Sequence, residues 1–403
     1  MRTACIALSL LCTMAACAAG QEPSQSTLFR DVTATHLPQA PQLHALDGAF
    51  VDVDGDGDLD LAIAVEGGAN RLYLNDGEGR FTWQEGALGT AAGDYEHVLS
   101  ADFDRDGQAD LVFVAEDTET HAYFLGRGDG TFTDVSDRLP GRSEGNGLDV
   151  GDVNGDGLPD VVVGNSGRGS GQDFLWLNDP EHPGHFIDAT TTHLPAVDDG
   201  TQDITLADLD DDGDLDMVVA NEVPPSRLLL NDGSGRFTDA SDRLDLRVPL
   251  ETRQAHVFDA TGDGALDIVL FNLTSNARGW DKDPQVRILV NDGNGRFQDE
   301  TEDRLPPNRF SVWAGTPMDF NHDGAMDLVV GPIEVPGFNP QRVRAYQNDG
   351  SGHFTDVTDE VIPSETVGRN WGMAVGDVNG DGVEDLFIGG WGTQARLLLG
   401  SRR

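Results

Sequence analysis

The sequence predicts an all-β fold: a seven-bladed β-propeller of four-stranded blades, its last blade closed by the N-terminal strand. Three observations carry this. An acidic frame, D-x-D-x-D-G-x-x-D, opens at Asp52 and returns, with small variations, at 102, 152, 208, 259, 319 and 377. The mean spacing of about 54 residues is that of propeller arrays rather than helical solenoids. Each frame also sits in the same series of short β-rich runs and turn residues, and nothing from 28 to 403 keeps a helical apolar period.

The first residues read as an address. Arg2 supplies a charge, Ile6 to Met14 an apolar run, and Ala15-Ala16 small residues at a cleavage point, so 1–16 is expected to be a signal peptide. The run is too short to span a bilayer. Met14-Ala15-Ala16-Cys17 resembles the bacterial lipobox, which would make Cys17 the lipidated residue. The match departs at Met14, where Leu is usual, and an ordinary signal cut near Ala18 or Ala19 is the alternative. Either reading takes the chain out of the cytoplasm, as an outer-membrane or cell-surface lipoprotein or as a secreted or periplasmic protein. Residues 17–27 are polar and aperiodic, a flexible tether before the propeller of 28–403. The three cysteines all lie at the extreme N-terminus (Cys5, Cys12, Cys17), so neither a disulfide framework nor a cysteine zinc site supports the fold.

Each unit has one grammar. A semi-apolar run such as His97-Val98-Leu99-Ser100-Ala101 leads into the acidic frame. A β-branched run follows, as in Asp160-Val161-Val162-Val163, and reads as a buried second strand. A third strand, as in Arg227-Leu228-Leu229-Leu230, ends in Asn-Asp-Gly at 75–77, 231–233, 291–293 and 348–350. These residue types tolerate positive φ in tight hairpins. A fourth strand follows, as in Phe354-Thr355-Asp356-Val357. The seventh unit stops after its third strand, Arg396-Leu397-Leu398-Leu399. Leu28-Phe29-Arg30-Asp31-Val32-Thr33 matches the fourth-strand pattern in register and is expected to supply the missing piece.

Carboxylates at alternate positions of a tight turn converge on one point, the ordinary arrangement for a hard cation. An EF-hand needs Glu at loop position 12 and a helix after it; here position 12 is Ile63, Phe113 or Val163, inside a strand. The expected ligands are the side chains at positions 1, 3, 5 and 9 and the carbonyl of position 7. In the first loop these are Asp52, Asp54, Asp56 and Asp60, with Asp58 giving its backbone oxygen. The second uses Asp102, Asp104, Asp106, Asp110 and the carbonyl of Gln108; the third Asp152, Asn154, Asp156, Asp160 and Leu158. The fourth uses Asp208, Asp210, Asp212, Asp216 and Asp214; the fifth Asp259, Thr261, Asp263, Asp267 and Ala265. The sixth uses Asp319, Asn321, Asp323, Asp327 and Ala325; the seventh Asp377, Asn379, Asp381, Asp385 and Val383. Up to seven Ca2+ ions are expected. Calcium is favoured over magnesium because the loops offer many oxygens on a flexible backbone. Thr261 makes the fifth site the weakest.

These loops resemble those of the FG-GAP/VCBS repeat proteins, whose calcium-loop propellers include the head of integrin α subunits. The resemblance covers about 28–403 and is specific for fold and metal. It implies a calcium-binding propeller and says little about the ligand.

Net charge is −45, from 71 Asp and Glu against 26 Lys and Arg, which excludes the basic face a nucleic-acid partner needs. There is no G-x-S-x-G elbow, no cysteine outside the leader, and no histidine pair at metal-binding helical spacing. The reading is a non-enzymatic, monomeric module that binds a protein or glycan. The alternative is a secreted polysaccharide lyase or hydrolase on the same scaffold. Loops after strands one and three share one face of a blade, so the acidic frames and the Asn-Asp-Gly turns lie together. The opposite face carries the irregular sequence. Its candidate ligand residues are Arg278, Trp280 and Phe338 on long loops, and Arg309, Trp313, Arg369, Asn370 and Trp371 near the innermost strands.

Overall fold

The computed structural model describes residues 27–167, 171–223, 225–246, 249–273, 285–334 and 339–402. The expected leader with Cys17, and Arg278, Trp280 and Phe338, lie outside the described residues. The fold is all-β and propeller-like, built from four-stranded antiparallel sheets.

In the third unit Gly145–Gly151, Asp160–Asn165, Phe174–Asn178 and Phe186–Asp188 pair in chain order. The fourth unit (Thr201–Ala207 to Phe237–Asp239) and the fifth (Glu251–Phe258 to Phe297–Asp299) repeat it. So do the first (His44–Val51 to Phe81–Trp83) and the second (Gly93–Ala101 to Phe132–Asp134). The sixth, Ser311–Met318 to Phe354–Asp356, adds a strand, Asn339–Arg342. This strand pairs with Asp327–Glu334 and with Val367–Gly368. It falls where the sequence suggested only irregular loop. Asn-Pro-Gln-Arg has no β pattern; backbone pairing, Asn339 donating to Glu334 (3.1 Å) and Arg342 donating to Ile362 O (2.6 Å) hold it in place.

The last unit contributes Asn370–Gly376, Asp385–Trp391 and Arg396–Leu399, and its fourth strand is Arg30–Asp31. Arg30 pairs with Leu399 and Asp31 with Leu398. Side chains confirm the equivalence. Elsewhere an Arg opening strand three meets an Asp ending strand four, as in Arg227–Asp239 at 3.0 Å and Arg287–Asp299 at 2.7 Å. In the last unit the same pair is Arg396–Asp31, at 2.6 Å. A Ser or Thr two residues on then accepts a strand-three N–H: Ser241 from Leu228, Thr358 from Ala345, and Thr33 from Leu397. Single helical turns follow, such as Thr33–His36 and Thr358–Val361, too short to leave a period of 3.6 in the sequence. Among the described residues no helix is long and apolar enough to cross a membrane.

The core lies between units. Along Asp60–Gly68, Leu61, Ile63 and Val65 pack against the last unit, while Ala62 and Ala64 pack against the second. Successive residues of a strand point to opposite faces, so a second strand buried on both sides must be apolar throughout. Leu28 and Phe29 join the cluster between the sixth and last units, and Val32 and Leu37 the cluster between the last and first.

Candidate metal loops and the opposite axial mouth

The acidic loops fold by the same local bonds in each unit. The position-1 carboxylate accepts the N–H of the position-6 glycine in all seven, from Asp52 with Gly57 (3.1 Å) to Asp377 with Gly382 (2.8 Å). The position-5 carboxylate accepts the N–H of position 7, as Asp56 does from Asp58. Position 6 requires φ > 0, as at Gly57 (94°) and Gly213 (93°). Position 4 requires it too and is not always glycine: Arg105, Asp211 and His322 stand there at φ 61°, 62° and 59°. His322 is thus a turn residue, and His and Asp tolerate that region better than most.

Position 9 ties each loop to the sheet. Both oxygens of Asp60 accept backbone N–H groups, one from Val53 (3.1 Å) and one from Asn75 (2.9 Å). Asp110, Asp160, Asp216, Asp267 and Asp385 do the same. Burial pushes these carboxyls up, Asp60 to about 6 and Asp110 to about 7. The two N–H donors oppose this, and the loop's other carboxylates add to it. A cation among them would reverse that balance.

Two features fit a metal. The carboxylates of Asp52, Asp54 and Asp60 lie within 4.8 Å of one another, as do those of Asp102, Asp104 and Asp110, and of Asp208, Asp210 and Asp216. Asp102 Oδ1, Asp210 Oδ1 and Thr261 Oγ1 are buried with no hydrogen-bond partner. An orphaned buried oxygen costs about 1–3 kcal/mol, and a cation supplies the missing partner.

The Asn of Asn-Asp-Gly has a role the sequence did not reveal. The positive φ falls on Gly77 and Gly79, not on Asn75. Asn75, buried at the end of strand three, donates through Nδ2 to Leu59 O in its own unit and to Val378 O, 2.7 Å away in the last. Asn178, Asn231, Asn291 and Asn348 make the same bridge to the unit before. Asn291→Ala should therefore strand two buried carbonyls and lower unfolding stability by about 2–4 kcal/mol. A urea titration measures this; a loss below about 0.5 kcal/mol would refute the bridging role.

Away from the acidic loops, the Trp313 and Trp371 rings lie with centroids 3.5 Å apart and planes tilted by 31°, and Trp371 stacks on Trp391 at 5.6 Å. Arg253 caps this column over Trp313 at 4.6 Å, and Arg369 lies over Trp391 at 5.2 Å. Trp391 donates through Nε1 to Glu66, which also meets His44 at 3.0 Å. The structure thus brings Trp313, Trp371 and Arg369 together, with Arg253 and Trp391 as unforeseen members. Asn370 is not a ligand group. It is 1% exposed, and its amide faces Gln341 O (3.3 Å) and Pro332 O (3.5 Å), tying the last unit to the sixth. Arg309 is exposed and takes no part in the Trp column.

Every innermost strand breaks register at one place. The residues at the break are Leu46, Glu96, Asn146, Gln202, Arg253, Trp313 and Trp371, and all seven line one narrow axial cavity of about 30 Å³. Bulges re-aim a side chain. Each of these residues stands six places before the first Asp of its loop, a spacing that could have found them.

The FG-GAP-like repeat model matches residues 52–113, 111–163, 152–219, 208–270, 274–330 and 333–388. The chain is 27% identical over 246 residues to cartilage acidic protein 1 of Homo sapiens, covering 56% of this chain and 35% of that protein. It is 29% identical over 196 residues to cartilage acidic protein 1 of Xenopus tropicalis, covering 46% and 28%. The chain spans about a third of the length of these curated relatives. Among solved structures it is similar to BBS1N, crystallised in complex with ARL6DN and soaked with mercury. The TM-score is 0.58 at 13% identity, over 93% of this chain and 98% of that one, a likeness of fold.

Proposed function

The chain belongs to the FG-GAP-like repeat family, and from that premise we propose that it is a calcium-pinned, seven-bladed propeller that binds a protein or glycan outside the cytoplasm. The observation that carries the reading is the division of labour between two faces. One face repeats the same acidic loop; the other carries chemically different residues at equivalent places. A repeated loop suits a structural pin, and an unrepeated surface suits recognition. Contacts from the last unit to the first, and the pairing of Arg30–Asp31 with Arg396–Leu399, support a closed ring.

The expected side chains at positions 1, 3, 5 and 9 would hold calcium, with the position-7 carbonyl. Bound calcium would neutralise clustered carboxylates and fix the hairpins. Thr261 provides the buried oxygen in the fifth loop, and as a neutral ligand leaves that site the weakest. A setting outside the cytoplasm is supported by relatives named for cartilage, and by the N-terminal signal pattern with Cys17 as its lipidation residue.

An array of extracellular proteins and glycans tests the reading. Retention of the calcium-loaded chain should fall at least tenfold in Arg369→Glu and remain in Glu78→Lys on the loop face. The reverse pattern would contradict it, as would release of cleaved product from a retained glycan.

A further inference from the structure

We propose that Arg369 and His44 form a notch for one carboxylate of a protein partner that is otherwise neutral or basic; this rests on the protein half of the reading above and deepens it. The notch lies where the last unit meets the first. Arg369 stands just before the strand Asn370–Gly376, and His44 opens His44–Val51. Each is two places before the register break of its strand, at Trp371 and Leu46. Gly392 lies between them with φ 61°. A Cβ there would stand 3.4 Å from His44 Nε2 and 3.8 Å from Arg369 Nη1, so both nitrogens are within reach of one point that no side chain fills.

Both groups have bonding capacity to spare. In a chain with 71 acidic residues, Arg227, Arg287 and Arg396 each meet a carboxylate. The Arg369 guanidinium meets none among the described residues; it lies over Trp391, and its Nε–H is buried without a partner. His44 Nδ1 faces Glu66 Oε2 at 3.0 Å. A carboxylate only accepts, so Nδ1 carries the proton and Nε2 is left for a ligand.

Charge decides the class. Glu66 and Arg369 are the charged groups that flank His44, and Trp391, 5.0 Å from its ring, adds none. A cation would meet Arg369. A carboxylate accepts a hydrogen bond from Arg369 and, with His44 doubly protonated, another from Nε2–H. Arg369 and His44 then balance Glu66 and the ligand, so one negative charge fits. The ground beside the notch selects what carries it. Glu66 pairs with Asp94 across strands, and Asp94, Glu116 and Asp117 lie within 4.8 Å of one another. A polyuronate, charged on every ring, would run onto these carboxylates. A protein segment can place one Asp or Glu in the notch and Lys or Arg beside it.

The test uses the full calcium-loaded chain and a library of amidated, dye-labelled peptides, each with one Glu and two Lys. The same peptides with Gln for Glu, and a labelled polyuronate, are the other probes, and fluorescence anisotropy reads binding. Glu peptides should bind, and their Gln counterparts at least tenfold more weakly; this arm needs no variant, so it survives a misfolded one. The preference should vanish in Arg369→Gln. It should shrink in His44→Phe, which keeps a ring on Trp391 and removes Nε2. In the complex, NMR should find protons on both His44 ring nitrogens. Equal binding of Glu and Gln peptides, no peptide binding, a preference that survives Arg369→Gln, or binding of the polyuronate alone would overturn the proposal. If Arg369→Glu still lowers retention of an extracellular protein while no preference for Glu appears, the recognition face stands and the notch falls.

Discussion

Stripping divalent cations with EGTA is expected to lower the melting midpoint by on the order of 20 °C. Anything that binds only the folded state adds about 2.7 kcal/mol per site at a hundredfold excess over its dissociation constant. Total stability of a folded domain is only about 5–15 kcal/mol, so a few of the seven loops are enough to dominate it. At about 2–4 °C per kcal/mol for chains of 150–250 residues, losing several sites yields a shift of that size. The position-9 carboxylates show why: burial and the neighbouring carboxylates oppose their ionisation, pushing Asp160 and Asp327 up to about 7, and a bound cation would favour the ionised form. Calorimetry in calcium, and again after EGTA, measures the shift. Magnesium should restore only part of it, because it dehydrates reluctantly and demands stricter geometry. A midpoint unmoved by EGTA would remove the metal from the account.

Deleting residues 1–37 is expected to be more damaging still, leaving a chain that aggregates or does not fold. Leu28, Phe29, Val32 and Leu37 are all at most 6% exposed. Burial of such side chains contributes about 1.5–3 kcal/mol each, a total comparable with the stability of the whole domain. The deletion also removes Asp31 from Arg396 and Thr33 Oγ1 from the Leu397 N–H. Arg396–Leu399 then becomes an open edge strand, a template for pairing with other chains. Deleting only residues 1–26 spares every one of these contacts. Size-exclusion chromatography and circular dichroism compare the two. A soluble, folded monomer lacking residues 1–37 would show that the N-terminal strand is not the closure.

What could be read without coordinates was whatever repeats along the chain. The loops announce themselves because Asp at positions 1, 5 and 9 and Gly at position 6 recur in all seven. The closing strand was legible because Asp31-Val32-Thr33 copies Asp356-Val357-Thr358 in register. Features that depend on a partner far away in sequence were not legible. Asn75 looks like a turn residue, yet its amide serves a carbonyl 303 residues away. The axial residues share a position and no chemistry, so residue type could not group them; only counting back six places from each loop does. Trp391 ends a second strand and joins the column by stacking on Trp371, with its indole N–H donated to Glu66, 325 residues away. Asn370 was misread for a related reason: it neighbours Trp371, but the bulge turns Trp371 into the narrow cavity and leaves Asn370 bonding across units.

Whether the repeated loops are calcium pins of a seven-unit ring is decided most directly by counting the ions. Equilibrium titration of EGTA-treated protein with calcium counts ions bound per chain. The expected result is six tight sites and one weaker site, the weaker one abolished by Thr261→Val with the other six unchanged. A count of none or one, or seven sites unaffected by removing the position-1 and position-3 carboxylates, would contradict the account.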